Sequence, residues 1–247
     1  EARSGLSKAM AMAPEHAGAL ALRAIMALRE DRSGAALVHA GQAVARNPKL
    51  PAAHLASSYA HQANRDLAAA RASAEEVIRL EPGNALAHLR LAELDLASGE
   101  VAMARKRAEG AVALAPRLAD ARNVLGFVLL GQDQADAAAE AFKLATRLNA
   151  LEPAGHFGLG LAYVRLGQLE AGREQLEAAT KLAPGSALPH TYLGRAYEFQ
   201  GRDREAAEQY ALAVAADPLD PTPYRFEALR LARNHAPVSA GQALRSA

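Results

Sequence analysis

Residues 155–167 read GHFGLGLAYVRLG, with glycines at 155, 158 and 160. A Gly-X-Gly step is what a phosphate-cradling turn uses. A helix pressed closely by a neighbour also needs small residues. The dinucleotide fingerprint fails on two counts. Its third glycine falls due at Tyr163, and the preceding RLNALEPA is not an apolar strand. The stretches 121–133, ARNVLGFVLLGQD, and 189–201, PHTYLGRAYEFQG, decide the matter. Leu-Gly recurs at 125–126, 159–160 and 193–194, and three residues beyond each glycine stand Leu129, Tyr163 and Tyr197. The opening stretch is one tooth of a repeat.

Prolines set the period. Pro14, Pro48, Pro82 and Pro116 are each 34 residues apart, and Pro184 and Pro218 keep the phase. A proline stops a helix because it lacks the N–H and crowds the preceding turn. Six full repeats follow: 17–50, 51–84, 85–118, 119–152, 153–186 and 187–220, with partial ones at 1–16 and 221–247. In the fourth, Ala150 replaces the proline, and Pro153 is expected to stop the helix instead. Each repeat holds two apolar-periodic runs joined by a short polar link such as Gly99-Glu100. In the second run, small residues recur at Ala36, Ala70, Ala104, Ala138, Gly172 and Ala206. Seven residues on, two helical turns along the same face, come Ala43, Val77, Ala111, Ala145, Ala179 and Ala213. The reading is two antiparallel helices per repeat, with Gly126, Gly160 and Gly194 where helices approach too closely for a side chain.

On these residues the chain resembles the tetratricopeptide repeat family over nearly its whole length. The repeat 187–220 carries the pattern most clearly, with Leu193-Gly194, Tyr197, Ala206, Tyr210, Ala213 and Pro218. Arg23-Ala24 and Ser57-Ser58 depart from Leu-Gly, so looser packing is expected there. The resemblance implies an all-α, right-handed superhelical solenoid of antiparallel helix pairs in 34-residue units, forming a single array over 1–247. At the ends, Ala2, Leu6 and Ala9, and Ala240, Leu244 and Ala247, fall in the second-helix register without a polar cap. Solenoids need such caps, so the chain is expected to be a piece of a longer array or to stack on a partner, end to end with flanking repeats. The string EAAEQYALAVAADPLDPTPYRFEALR is also similar to the last repeats of large bacterial envelope proteins, which carry them before an outer-membrane β-barrel region. That likeness implies an extracytoplasmic location, periplasmic or outer-membrane-associated; a cytoplasmic one is the alternative.

Composition excludes several function classes. The chain has 28 Lys plus Arg against 27 Asp plus Glu, a net charge of +1 that gives no reason to expect a nucleic-acid partner. No apolar stretch is long enough to cross a membrane. Without cysteine there is no disulfide, thiol nucleophile or Cys-based zinc site. No hydrolase elbow, HExxH, Walker or calcium-loop motif occurs, so no enzyme activity and no cofactor are expected. His54, His88, His156 and His190 fill the fourth place of four repeats. Ligand nitrogens must reach about 2 Å of one ion, whereas packed helices lie about 8–10 Å apart. Four such residues form a row that cannot close a tetrahedron and read as large-residue fillers; the alternative is that the neighbours His156 and His190 share an ion. The basic run Arg105-Lys106-Arg107 and the pair Glu75-Glu76 read as solvated faces.

In this family the first helices line a concave groove, through the second, fifth, sixth, ninth, twelfth and thirteenth places. Six of the eleven aromatics fall there: Tyr59, Phe127, Phe157, Tyr192, Phe199 and Phe226. Tyr163, Tyr197, Phe142, Tyr210 and Tyr224 take fold-building places. Arg165, Arg195, Arg225 and Arg233 share the C-terminal stretch, and aromatic and Arg residues are common interface anchors. The Lys/Asn carboxylate clamp is absent, because the fifth and ninth places hold pairs such as Leu55 and Tyr59 or Phe157 and Leu161. The Asn ladder of glycosyltransferase-linked arrays is absent too. The expectation is a non-catalytic scaffold that takes a protein or peptide segment with Tyr59, Phe127, Phe157, Tyr192, Arg195, Phe199, Arg225 and Phe226. The alternatives are an envelope component assisting surface export or assembly, with repeats stacking on repeats or on a barrel, and, remotely, the substrate-recruiting array of an enzyme.

Overall fold

A computed structural model of the protein describes residues 16–233. The described residues form thirteen α-helices and no strand. They are α1 (Ala17–Arg29), α2 (Ser33–Arg46), α3 (Pro51–Ala63), α4 (Leu67–Leu80), α5 (Ala85–Ala97), α6 (Val101–Leu114), α7 (Ala119–Gly131), α8 (Ala135–Leu148), α9 (Pro153–Arg165), α10 (Leu169–Leu182), α11 (Ala187–Phe199), α12 (Asp203–Ala216) and α13 (Pro221–Arg233). First helices begin every 34 residues, at 17, 51, 85, 119, 153, 187 and 221. The Pro14 signal and the terminal registers at Ala2 to Ala9 and Ala240 to Ala247 lie outside the described residues.

The chain divides into two compact units, Glu1–Pro116 and Arg117–Ala247. Within each, a second helix packs on its own partner and on the first helix of the next pair. The helix-repeat architecture read from the period is therefore present in both.

Pro51, Pro153 and Pro221 stand at the first position of their helices, where a missing N–H costs nothing. Pro153 therefore starts α9, and does not end α8 as expected. Helix α8 stops at Leu148 because Asn149 turns extended, at φ −145°.

The links inside each pair share one backbone requirement. Asp31, Arg65, Gly99, Asp133, Gly167 and Gly201, each 34 residues from the next, all have positive φ, between 53° and 77°. Arg65 is the residue least suited to it, because a Cβ crowds the following carbonyl at a cost of about 1–2 kcal/mol. Arg65→Gly is expected to stabilise the chain by about 0.5–1 kcal/mol after the extra backbone entropy of glycine is subtracted. The readout is the urea midpoint, and an unchanged or lowered midpoint would refute the strain.

Packing in the two units follows one rule with opposite solutions. The eighth and twenty-fourth places of each repeat face one another inside a helix pair. In the three full repeats of the C-terminal unit the eighth place is glycine and the twenty-fourth is large. A Cβ on Gly126 would lie 2.6 Å from the Phe142 ring, one on Gly160 2.6 Å from Leu176, and one on Gly194 2.7 Å from Tyr210. The close approach expected at these glycines is present. In the N-terminal unit the same places hold Ala24 with Ala40, Ser58 with Ala74, and Ala92 with Ala108, all fully buried. Small residues on both sides stand where a glycine and a large side chain stand elsewhere, and both are sealed from water.

The histidine row staples first helices to the turns before them. Nε2 of His54, His88, His156 and His190 lies 2.8, 3.0, 3.1 and 3.2 Å from the carbonyl oxygens of Pro48, Pro82, Ala150 and Pro184, each six residues back. Tyr224 reaches the Pro218 carbonyl from the same place. Each bond satisfies a carbonyl that the turn between repeats leaves without a helical donor. Among the described residues no group of three His, Asp or Glu side chains is placed to hold a metal ion, and no helix is long and apolar enough to cross a membrane.

Candidate functional site

The first helices of the C-terminal unit, α7, α9, α11 and α13, place their aromatic residues side by side. Phe127 and Phe157 have ring centroids 6.2 Å apart, Phe157 and Tyr192 5.6 Å, and Tyr192 and Phe226 6.1 Å. The row is tied to the core at both ends. Phe127 meets Phe142 edge-on at 4.9 Å, and Phe226 lies 6.3 Å from Tyr210. Helix periodicity alone does not produce this row. The residues occupy the ninth, fifth, sixth and sixth places of successive repeats and all turn to one face.

In front of the row lies an open cavity of about 580 Å³. Its walls are Phe127, Leu130, Leu161, Val164, Leu176, Tyr192, Ala196, Phe199 and Phe226, with Arg165 and Arg195 as its cations. Of the eight expected site residues, five line it: Phe127, Tyr192, Arg195, Phe199 and Phe226. Phe157 is buried behind the wall, where it supports Phe127 and Tyr192 without facing the cavity. Arg225 is exposed on α13 outside the lining.

Tyr59 belongs to the other unit and to different chemistry. The Arg90 guanidinium sits 4.0 Å from its ring centroid. Arg90 is only 1% exposed. It donates to the Ser58 hydroxyl and carbonyl, to Gln62 and to Glu93. Tyr59 is thus one wall of a buried arginine site joining α3 to α5. The Leu130, Leu161 and Val164 walls of the cavity fall in the twelfth, ninth and twelfth places of their repeats, so the register marked them as groove-facing, but their aliphatic type does not separate them from core and they were not among the expected site residues.

Glu198 organises the cationic side. Its carboxylate is fully buried, which would be costly without partners. It accepts from the Tyr210 hydroxyl at 2.8 Å and from Arg195 at 2.7 Å, and it also accepts from Arg233. Burial, reinforced by the hydrogen bond to Glu198, holds the Tyr210 phenol well above its usual pKa. The phenol therefore stays a donor to that carboxylate at neutral pH. Arg195 is fixed further by two rings, its guanidinium carbon lying 4.6 Å from the Phe199 centroid and 5.2 Å from that of Phe226. Arg165 donates to the Leu130 carbonyl and to Asp133, each at 3.1 Å. The site presents an apolar slot with two held guanidinium groups. No nucleophile–base pair stands in it. It can bind, and bind with orientation.

Comparison with known proteins bears on the repeat and the fold. Residues 157–221 match the profile of the tetratricopeptide repeat. No curated protein matches the chain. Among solved structures it is similar to the anaphase-promoting-complex hetero-tetramer Cut9–Hcn1, with a TM-score of 0.79 and 18% identity over 97% of this chain and 44% of that one. The chain thus spans less than half the length of that relative. It is also similar to PilF of Pseudomonas aeruginosa, at TM-score 0.68 and 17% identity over 86% of this chain and 97% of that one. A third likeness is to a thermophilic tetratricopeptide-repeat protein of Thermus thermophilus, at TM-score 0.65 and 25% identity over 74% of this chain and all of that one.

Proposed function

From a chain whose residues 157–221 match the tetratricopeptide-repeat profile and whose helix pairs take that fold, we propose that it is a non-catalytic interaction scaffold, whose C-terminal unit receives a segment of another protein in the aromatic-lined slot. The observation that carries this reading is the convergence of Phe127, Tyr192, Phe199 and Phe226 on one open cavity in a chain that is only 4% aromatic. Four of eleven aromatic side chains standing at one open face is a poor use of apolar surface unless something covers it. Phe199 in particular is 47% exposed. The similarity to Cut9–Hcn1, a hetero-tetramer by its description, gives the same direction for the fold at large.

The test begins with a partner recovered by the wild-type chain. Tyr192→Ala combined with Phe199→Ala is expected to abolish its binding while far-UV circular dichroism stays unchanged. Should the double variant lose helicity, Phe199→Ala alone, at an exposed helix end, is expected to weaken binding by about tenfold or more. A partner that stays bound at wild-type strength to a folded variant would overturn the proposal.

A further inference from the structure

Charge on the slot-bearing face goes further than its apolar lining. Arg165, Arg195, Arg225 and Arg233 stand on the first helices of the C-terminal unit. The carboxylate that holds both Arg195 and Arg233, that of Glu198, is wholly buried. Asp133, itself 89% exposed, pairs with Arg165 at the rim, while the side chains of Arg165 and Arg233 each keep 53% exposure and Arg225 is exposed. Three exposed guanidinium groups against that one exposed carboxylate leave a positive surplus, in a chain whose total is only +1. Resting on the slot as a protein-binding site, we infer that its occupant is an acidic protein segment. A bulky apolar side chain enters between Phe127, Tyr192 and Phe226, and carboxylates on either side of it meet Arg165 and Arg195.

Charge complementarity selects this occupant over the others. The chain's own residues 234–247 contain Arg245 and no Asp or Glu, so they carry the same sign as the face. Nucleic acid would share the negative charge but needs free ring faces on which bases stack. Here the rings meet edge-on, at interplanar angles of 70° and 79° for Phe157–Tyr192 and Tyr192–Phe226. The guanidinium of Arg195 already covers Phe199 and Phe226. What stays open is an apolar depression with cations beside it. Its volume of about 580 Å³ falls in the range of sites that enclose a few large side chains.

Panning a displayed library of random dodecapeptides on the full chain tests this. Enriched peptides are expected to join at least one Leu, Phe, Trp or Ile to a surplus of Asp and Glu. The same peptide with its acids replaced by Asn and Gln is expected to bind about tenfold more weakly, and raising the salt is expected to erode the difference. Arg165→Gln with Arg225→Gln, both at exposed positions and clear of Glu198, is expected to produce a comparable loss. Enrichment of neutral or basic peptides overturns the acidic assignment and leaves the protein-binding slot standing. Acidic peptides that bind the Tyr192→Ala, Phe199→Ala chain undiminished, or a library with no enrichment, overturn both. An oligothymidylate that outcompetes every enriched peptide assigns the face to nucleic acid and likewise overturns the inference.

Discussion

Phe142→Ala is expected to lower the stability of the chain by about 3–5 kcal/mol, seen as an early urea transition in far-UV circular dichroism. Phe142 is fully buried on α8. Its ring sits where a Cβ on Gly126 would stand 2.6 Å away, and where one on Gly158 would overlap it. Two first helices have given up their side chains to admit one ring. Alanine there leaves a void bounded by backbone that cannot collapse into it, and the cost of a cavity rises with what fails to collapse. The ring also buttresses Phe127, 4.9 Å away, so binding at the slot should weaken with stability. The N-terminal unit shows what a compensated version looks like, with Ala40, Ala74 and Ala108 at the same place opposite Ala24, Ser58 and Ala92. Adding Gly126→Ala to Phe142→Ala should therefore recover part of the loss, although Gly126→Ala alone is destabilising by overpacking. A single-variant loss below about 1 kcal/mol, or strictly additive losses, would show that the glycine–ring pairs are not a packing unit.

The repeat was legible because its determinants are periodic. Prolines, glycines and small residues recur at fixed places, and each has a backbone or packing reason to do so. The slot was partly legible for the same reason. Assigning Phe127, Tyr192, Arg195, Phe199 and Phe226 to one face followed from the groove-facing places that the resemblance to the tetratricopeptide repeat implies, once the phase was set. What stayed hidden occurs once and depends on reach. Gly158 stood in the opening stretch, yet its role follows from the Phe142 ring on another helix. Arg90 fills a groove place by register but turns inward to Ser58 and Gln62, because an arginine stem is long enough to choose. Arg107 corrects the reading of 105–107 as a solvated face. It folds inward, placing Nε 2.9 Å from Asp95. A signal did exist. Asp95 stands in the eleventh place, where Leu129, Tyr163 and Tyr197 occur, and a carboxylate in a large-residue place calls for cations nearby.

That carboxylate carries the second large prediction. Asp95 is 0% exposed and lies between Arg71 Nη1, hydrogen-bonded at 2.5 Å, and Arg107 Nε on its other oxygen. The Arg107 contact is an ion pair without an aligned hydrogen bond, since Oδ2 has no hydrogen-bond partner. Three helices, α4, α5 and α6, meet at this one side chain. Removing one member of a buried charge cluster costs about 3–5 kcal/mol when the remaining charges are sealed from water. Here Arg71 and Arg107 keep 26% and 22% of their side-chain exposure, so part of their charge is relieved by solvent. Asp95→Ala is accordingly expected to cost about 2–4 kcal/mol. Two guanidinium groups would then face each other across a vacated site. Asp95→Asn keeps the shape and one acceptor while removing the charge, and should fall between wild type and alanine. If charge compensation is the cause, Arg71→Met with Arg107→Met in the Asp95→Leu background should recover most of the stability, because an apolar trio of similar volume needs no counter-ion. An Asp95→Ala chain as stable as wild type would mean that the triad sets helix register without holding the helices together, and equal losses for Asn and Ala would place the effect in shape and not in charge.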